Sequence, residues 1–269
     1  MSQDITEKNY RKLILRVSPT GFSHCVLDTS SSRMLSVDEA QFDKARTIRP
    51  EDRYWEAFVK NPELTRPHDE VHVLHDSNLN TFVPTALFDA DYLGSYLQYN
   101  TKVFETDFFE FDELPNYGMN NVYIPWANIN NFLIDQFGPF TYRNGNTVLV
   151  EKLMDLSRNE AGRRMYAHFS SERFELVVLE NQQLLLFNSF DHRAKEDFIY
   201  YVLFTAEQLN LNPEHFPLRL LGDISRDSDY FKMAYRYVRD VELADVSHLT
   251  GRNGLSDDLN RKHFILVQG

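Results

Sequence analysis

Ser18–Asp28 reads SPTGFSHCVLD, and far downstream Ser170–Glu180 reads SSERFELVVLE. The two stretches agree at Ser18/Ser170, Phe22/Phe174, Val26/Val178 and Leu27/Leu179, and Asp28 is answered by Glu180. The spacing is constant (170 − 18 = 152; 178 − 26 = 152). Each copy sits inside the same larger pattern. KLILRV (12–17) alternates, with Leu13, Leu15 and Val17 on one face and Lys12, Ile14 and Arg16 on the other, as a strand does. SPTG supplies turn chemistry, FSHCVL a second strand, TSSS a turn and RMLSV a third strand. Downstream, RRMYAHF, FELVVL and LLLFNSF repeat this meander with SSER and ENQQ between them.

A helical pattern follows each meander. In PEDRYWEAFVKN, Pro50 and two acids open the first turn and Trp55 stands beside Val59 at i,i+4. In DHRAKEDFIYYVLFTAEQLNL, Phe198, Val202, Ala206 and Leu209 share a face. A further strand comes next in both copies, EVHVLHD (70–76) and PLRLLGD (217–223), aligned at a second offset (223 − 76 = 147). Meander, helix and strand thus occur twice in one order, at a period too long for a solenoid. The expectation is two similar lobes.

Between the copies, the pattern predicts strand 81–83, helix 88–103, strand 107–111, strand 122–125, helix 126–137 and strand 140–143. That βαββαβ order is ferredoxin-like. NTVLVEKLMDLSRN (146–159) then reads as the helix joining the lobes.

The 269 residues, 42% hydrophobic and 14% aromatic, are enough for a large core without disulfides or metal. One cysteine, Cys25, forbids an intramolecular disulfide. A net charge of −12 opposes general nucleic-acid binding. The polar N-terminus and the absence of any long apolar run predict no transmembrane segment and a cytoplasmic location.

Two lobes built on this plan resemble the actin-like ATPase fold, a duplicated ribonuclease H-like α/β architecture. A βαββαβ piece set into the first lobe is similar to the variant in its cell-division and type IV pilus assembly members. FVPTALFDADYLGSYLQYN (82–100) and VYIPWANINNFLIDQFGPFTYRNGNTVLVEKL (122–153) further resemble a bacterial family of unknown function assigned to this fold. The expected organisation is an N-terminal lobe over 1–145, with the inserted subdomain at about 79–143, and a C-terminal lobe over 146–269.

The resemblance implies that the doubled strand-loop-strand is the element that, in active members, wraps nucleotide phosphates from each lobe. Such a site requires an Asp at the end of the first strand of each lobe, to hold Mg²⁺ directly or through water, beside a glycine-rich turn whose N–H groups approach phosphate oxygens. The first loop, RVSPTGF, has Val17 and Ser18 where that Asp is expected, only Gly21, and Pro19 with no N–H to give. The second, HFSSERF, has neither Asp nor Gly, and Glu172 would face phosphate with like charge. The stretch that matches the adenosine turn keeps one glycine, Gly222, followed by Asp223, and an ordinary strand-to-helix turn capped by Ser225 or Asp227 is preferred to a retained purine site.

The resemblance therefore implies a non-catalytic scaffold or protein-interaction module with degenerate nucleotide loops, needing no cofactor and no metal. The alternative is an ATP–Mg binder or weak ATPase using substitute residues. Candidate cleft positions are Ser18, Thr20, Gly21, Asp76, Ser170, Glu172, Gly222 and Asp223. Protein partners are expected, and a homo-oligomer is compatible with this reading.

Other residue groups are read as structural. His72 and His75 lie an odd number of positions apart on a strand and point to opposite faces, which argues against a metal site with His68. Cys25 reads as a small core residue, and Asp76 and Asp223 as turn-forming acids at strand ends. In FETDFFEFDEL (104–114), aromatics alternate with acids as on a half-buried strand, or on an edge open to a partner. Asn128 reads as a helix cap.

Overall fold

The computed structural model describes residues 8–43, 48–171 and 173–269. In the N-terminal lobe, β1 (Arg11–Ser18), β2 (Gly21–Asp28) and β3 (Arg33–Gln41) form an antiparallel meander. Two helices, α1 (Pro50–Lys60) and α2 (Pro62–Thr65), return the chain to β4 (Glu70–His75), which pairs parallel to β1. The chain then leaves the lobe through β5 (Asn80–Pro84), α3 (Leu93–Leu97), β6 (Glu110–Leu114) and β7 (Met119–Tyr123). It re-enters as α4 (Ala127–Phe137) and β8 (Thr141–Asn144), and α5 (Gly145–Leu156) crosses to the second lobe.

That lobe repeats the plan with β9 (Arg163–Phe169), β10 (Arg173–Glu180), β11 (Gln183–Asp191), α6 (Lys195–Gln208) and β12 (Pro217–Gly222). It continues with α7 (Asp229–Tyr237) and β13 (Asp240–Leu243), and α8 (Ser247–Asn253) and α9 (Asp257–Lys262) follow. The two large sheets have the same order, β3-β2-β1-β4-β8 and β11-β10-β9-β12-β13.

The duplication holds at the level of single ladder pairs. Val17 faces Phe22 in one meander and Phe169 faces Phe174 in the other, and each ladder carries a bulge after Val26 or Val178. Both relations repeat at 152 (169 − 17; 178 − 26). A bulge is a defined device that bends and twists a strand, so its recurrence at an equivalent residue marks equivalent structure.

Each sheet has an outer face under helices and an inner face toward the other lobe. Leu13, Leu15 and Val17 point outward against Tyr54 and Phe58 of α1 and Ile129 and Leu133 of α4. The i,i+4 reading of α1 has the right spacing on the wrong stripe, because Trp55 and Val59 are 55% and 64% exposed while Tyr54 and Phe58 are buried. The α6 reading holds, with Phe198, Val202 and Ala206 buried. On the inner faces, Ile14, Cys25 and Leu74 meet Tyr166, Val177 and Leu221 around α5 and the buried Phe264–Leu266 segment. Cys25 is therefore an inter-lobe core residue, and burial pushes its thiol up to about 12.

The inserted piece is smaller than the sequence reading. β5, β7 and β6 make an antiparallel three-stranded sheet with α3, around Val83, Leu97, Val122 and Ile124. The expected second helix and last strand belong instead to the N-terminal lobe, where β8 pairs parallel to β4 and α4 buries Ile129 and Leu133 on the large sheet. The physical reason is that the outer face of that sheet needs a second helix beside α1, and the apolar stripe of α4 fits it. The insertion is accordingly βαββ, spanning 80–123. The helix expected over 88–103 shrinks to α3, flanked by an Asp89-capped 3-10 turn before it and turns at 98–100 after it.

A buried polar joint fastens this insertion to the lobe. Asp112 on β6 accepts from the Asn144 N–H at 2.8 Å, from the Thr147 hydroxyl, and from the Tyr123 hydroxyl at 3.3 Å. Asn80, Asn121 and Asn146 link β5, β7 and α5 by further side-chain bonds of 2.8–2.9 Å. Burial raises the Asp112 carboxyl to about 6 despite these donors.

Candidate functional site

The loop between β1 and β2 and the loop between β9 and β10 meet across a cleft of about 290 Å³ between the lobes. Ser18, Gly21, Asp76, Ser170 and Asp223 line it, together with Arg16 and Lys262. Thr20 stands behind, with its hydroxyl 3.2 Å from that of Ser18. Glu172 lies outside the described residues. Gly222 does not line the cleft. At φ +87° it passes so close to β9 that a Cβ would sit 2.1 Å from the Phe169 carbonyl oxygen, so its retention has a structural cause.

The same topology positions both aspartates. Asp76 follows β4 and donates its N–H to Val17 O at 2.8 Å, while Asp223 follows β12 and donates to Phe169 O at 2.9 Å. Their surroundings differ. Asp76 pairs with Arg16 at 3.1 Å and with Arg173 of the other lobe. Arg173 continues to Glu175 at 2.7 Å, and Glu175 to the His168 ring at 2.9 Å. Arg16 also donates to the Ser170 hydroxyl at 3.2 Å. Glu175 and His168 are essentially fully buried.

Two guanidiniums and two carboxylates therefore balance one another, and burial lowers the pKa of His168 against the opposing pull of Glu175. Burial alone would raise the Asp76 carboxyl, but Arg16 and Arg173 outweigh it and hold it well below the usual range. Burial is likewise outweighed at Glu175, where Arg173 and His168 bring the carboxyl down to about 2.

Several backbone groups of the two loops are paired within the chain. The Tyr54 hydroxyl accepts the Ser18 N–H at 3.1 Å and lies 2.9 Å from Ser18 O and 3.2 Å from Gly21 O. The Ser18 hydroxyl donates to Gly21 O at 3.0 Å and accepts the Thr20 N–H at 3.3 Å. In the second loop, the Ser170 N–H is bonded to Arg173 O at 2.9 Å. The N–H groups that a phosphate would need at Ser18, Thr20 and Ser170 are already paired within the chain.

Arg16, His168, Arg173 and Glu175 are the residues that sequence reading missed. One signal was present: at the 152-residue offset Arg16 aligns with His168, so polar residues stand at equivalent places inside two otherwise apolar strands. The histidines of β4 do not converge. His75 is buried and accepts the Trp126 N–H at 3.2 Å, while His72 is only partly buried. Among the described residues, no group of three or more His, Cys, Asp or Glu side chains could hold a metal. No described helix is long and apolar enough to cross a membrane.

Twin sheets of identical order, joined by a central helix and flanking one cleft, define the actin-like ATPase fold. A Bacteroides thetaiotaomicron protein with that fold and unknown function is similar over 100% of both chains, at 22% identity and a TM-score of 0.82. The PilM–PilN type IV pilus biogenesis complex contains a similar chain, at 11% identity and a TM-score of 0.60 over 95% of this chain and 96% of that one. Within that class, the chain belongs to the DUF3822 family of proteins of unknown function, whose model matches residues 2–241. No curated protein matches it.

Proposed function

We propose that this chain is a non-hydrolysing actin-like module that acts in the cytoplasm by binding other proteins. The observation that carries this reading is the ion cluster Arg16–Asp76–Arg173–Glu175–His168, which occupies the meeting point of the two loops. A nucleotide with Mg²⁺ would need a free carboxylate for the metal and free N–H groups for the phosphates. Asp76 is committed to two arginines, so of the two strand-end carboxylates Asp223 alone is left for a metal, and the N–H groups of Ser18, Thr20 and Ser170 are committed to the chain itself. Opening the cluster to admit a phosphate would strand buried charges, which costs several kcal/mol. Similarity to a pilus-assembly protein solved with its partner supports protein binding as the use of such a fold.

The test is phosphate release from millimolar Mg-ATP by the purified chain. Release should equal the protein-free blank. Release above the blank that disappears in Asp76→Ala or Asp223→Ala would overturn the reading and establish the ATPase alternative.

A further inference from the structure

Among the sheet edges of this molecule, one is unlike the rest. β3 exposes Arg33, Asp38 and Glu39, β6 carries Glu110, Asp112 and Glu113, and β8 and β13 are four residues each. These are the usual devices that keep an edge from pairing with another chain. β11, at the outer end of the C-terminal sheet, has fewer of them: it carries a bulge at Leu185 and ends in Asp191, but from Gln183 to Phe190 it contains no ionisable residue and no proline. It is nine residues long, and Leu184, Leu185, Leu186 and Phe187 are all only half-buried. Its equivalent in the first lobe is β3, so duplication alone does not explain an apolar edge.

The edge of β5 faces it. β5 is the end strand of the inserted sheet, and between it and β11 runs a groove of about 300 Å³. Phe82 and Phe187 touch at 5.0 Å between ring centres, while Thr81, Asn100 and Asn188 add polar groups to its lining. In an antiparallel pair, alternate residues turn their N–H and C=O away from the partner strand. Among the described residues, β11 has no backbone-to-backbone hydrogen bond beyond β10, and β5 none beyond β7, although the Ser189 N–H of β11 donates to the Asn188 side chain at 2.9 Å.

We infer that this groove receives an extended, uncharged peptide segment of a partner protein, which adds as a strand to β11 between it and β5. The occupant follows from the chemistry of the wall. Outward main-chain donors and acceptors of β11 that no other backbone takes, on either side of the bulge at Leu185, are the groups that another extended main chain satisfies. Half-buried leucine and phenylalanine select apolar side chains at alternate positions, and the absence of charge on β11 leaves a charged segment nothing to pair with. The inference rests on the protein-binding reading and gives it a site.

The test is selection of random decapeptides displayed on phage against the full chain, followed by anisotropy and amide-exchange measurements on synthetic copies. Enriched peptides should be uncharged with apolar residues at every second position, and should slow exchange in β11. Methylating the peptide's backbone nitrogens on the set of alternate residues that faces β11 should weaken binding at least tenfold, and methylating the other set by less. The double variant Thr81→Lys/Asn188→Lys, placed on side chains that line the groove, should weaken binding at least tenfold without changing the melting temperature.

Four outcomes would overturn the inference. They are no enrichment, binding indifferent to methylation, exchange protection elsewhere, or a concentration-dependent dimer of this chain that the double variant abolishes. Those failures would leave the protein-binding reading intact as long as Mg-ATP has no effect. Hydrolysis of Mg-ATP would remove that reading whatever the peptides do.

Discussion

Asp76 and Asp223 end equivalent strands of the two lobes, each tied by its N–H to the end of the neighbouring first strand. Around Asp76 the chain has built an ion cluster reaching across to Arg173, whereas Asp223 is exposed and makes no ion pair with a described residue. The repeated topology puts the two carboxylates at equivalent places, and their surroundings give them opposite employment. One is a rivet between lobes, and the other is an exposed group at a strand end on the cleft wall. On the proposed reading, a nucleotide held between the lobes would draw on both carboxylates, and the ion pairs of Asp76 turn one of them inward.

The largest effect should come from removing the rivet. Asp76→Ala leaves Arg16 and Arg173 without their shared anion in a mostly buried setting, and should destabilise the chain by about 3–5 kcal/mol in denaturant unfolding. Asp223→Ala should stay within about 0.5 kcal/mol, as surface substitutions do. Equal effects of the two changes would break the comparison. Leu133→Ala probes whether α4 serves the first sheet as α7, through Phe231 and Ala234, serves the second. A loss of about 2–5 kcal/mol is expected for a fully buried leucine, and a loss below half a kcal/mol would place α4 off the sheet.

The two polar clusters should also respond to pH in opposite directions. Asp112 has its carboxyl raised to about 6, so its contribution is complete below its ordinary value near 4 and is lost as pH rises through 6. Asp76 and Glu175 are lowered, so theirs is present above about 4.5 and is lost as the medium is acidified further. Comparing unfolding free energies at pH 4 and pH 7, Asp112→Asn should remove a decline of about 2–3 kcal/mol that the parent chain shows. A parallel decline in both proteins would mean that Asp112 does not carry that proton.

The sequence made the lobes legible because their information is local and doubled. Alternation in KLILRV and RRMYAHF, turn residues between strands, and a constant offset all survive in one dimension. The limits of the insertion were not legible, since the apolar stripe of α4 suits either sheet and only packing decides between them. The cluster was hidden for a related reason. Asp76 and Arg173 stand 97 residues apart, and no local pattern announces that a particular arginine will cross from one lobe to the other. Gly222 is the converse case, a residue whose preferred reading as an ordinary turn glycine agrees with the close passage of β12 against β9.

The central claim is that the cleft is closed to nucleotide by the chain's own charges, and a melting experiment reaches it most directly. A ligand bound only by the folded chain at 100 times its Kd stabilises by about 2.7 kcal/mol, which in a domain of this size moves the midpoint by a few degrees. With millimolar Mg-ATP or Mg-ADP, the midpoint of this chain should coincide with that in buffer containing Mg²⁺ alone. A saturable rise of a few degrees with either nucleotide would contradict the account and return the cleft to the nucleotide-binding members of its fold.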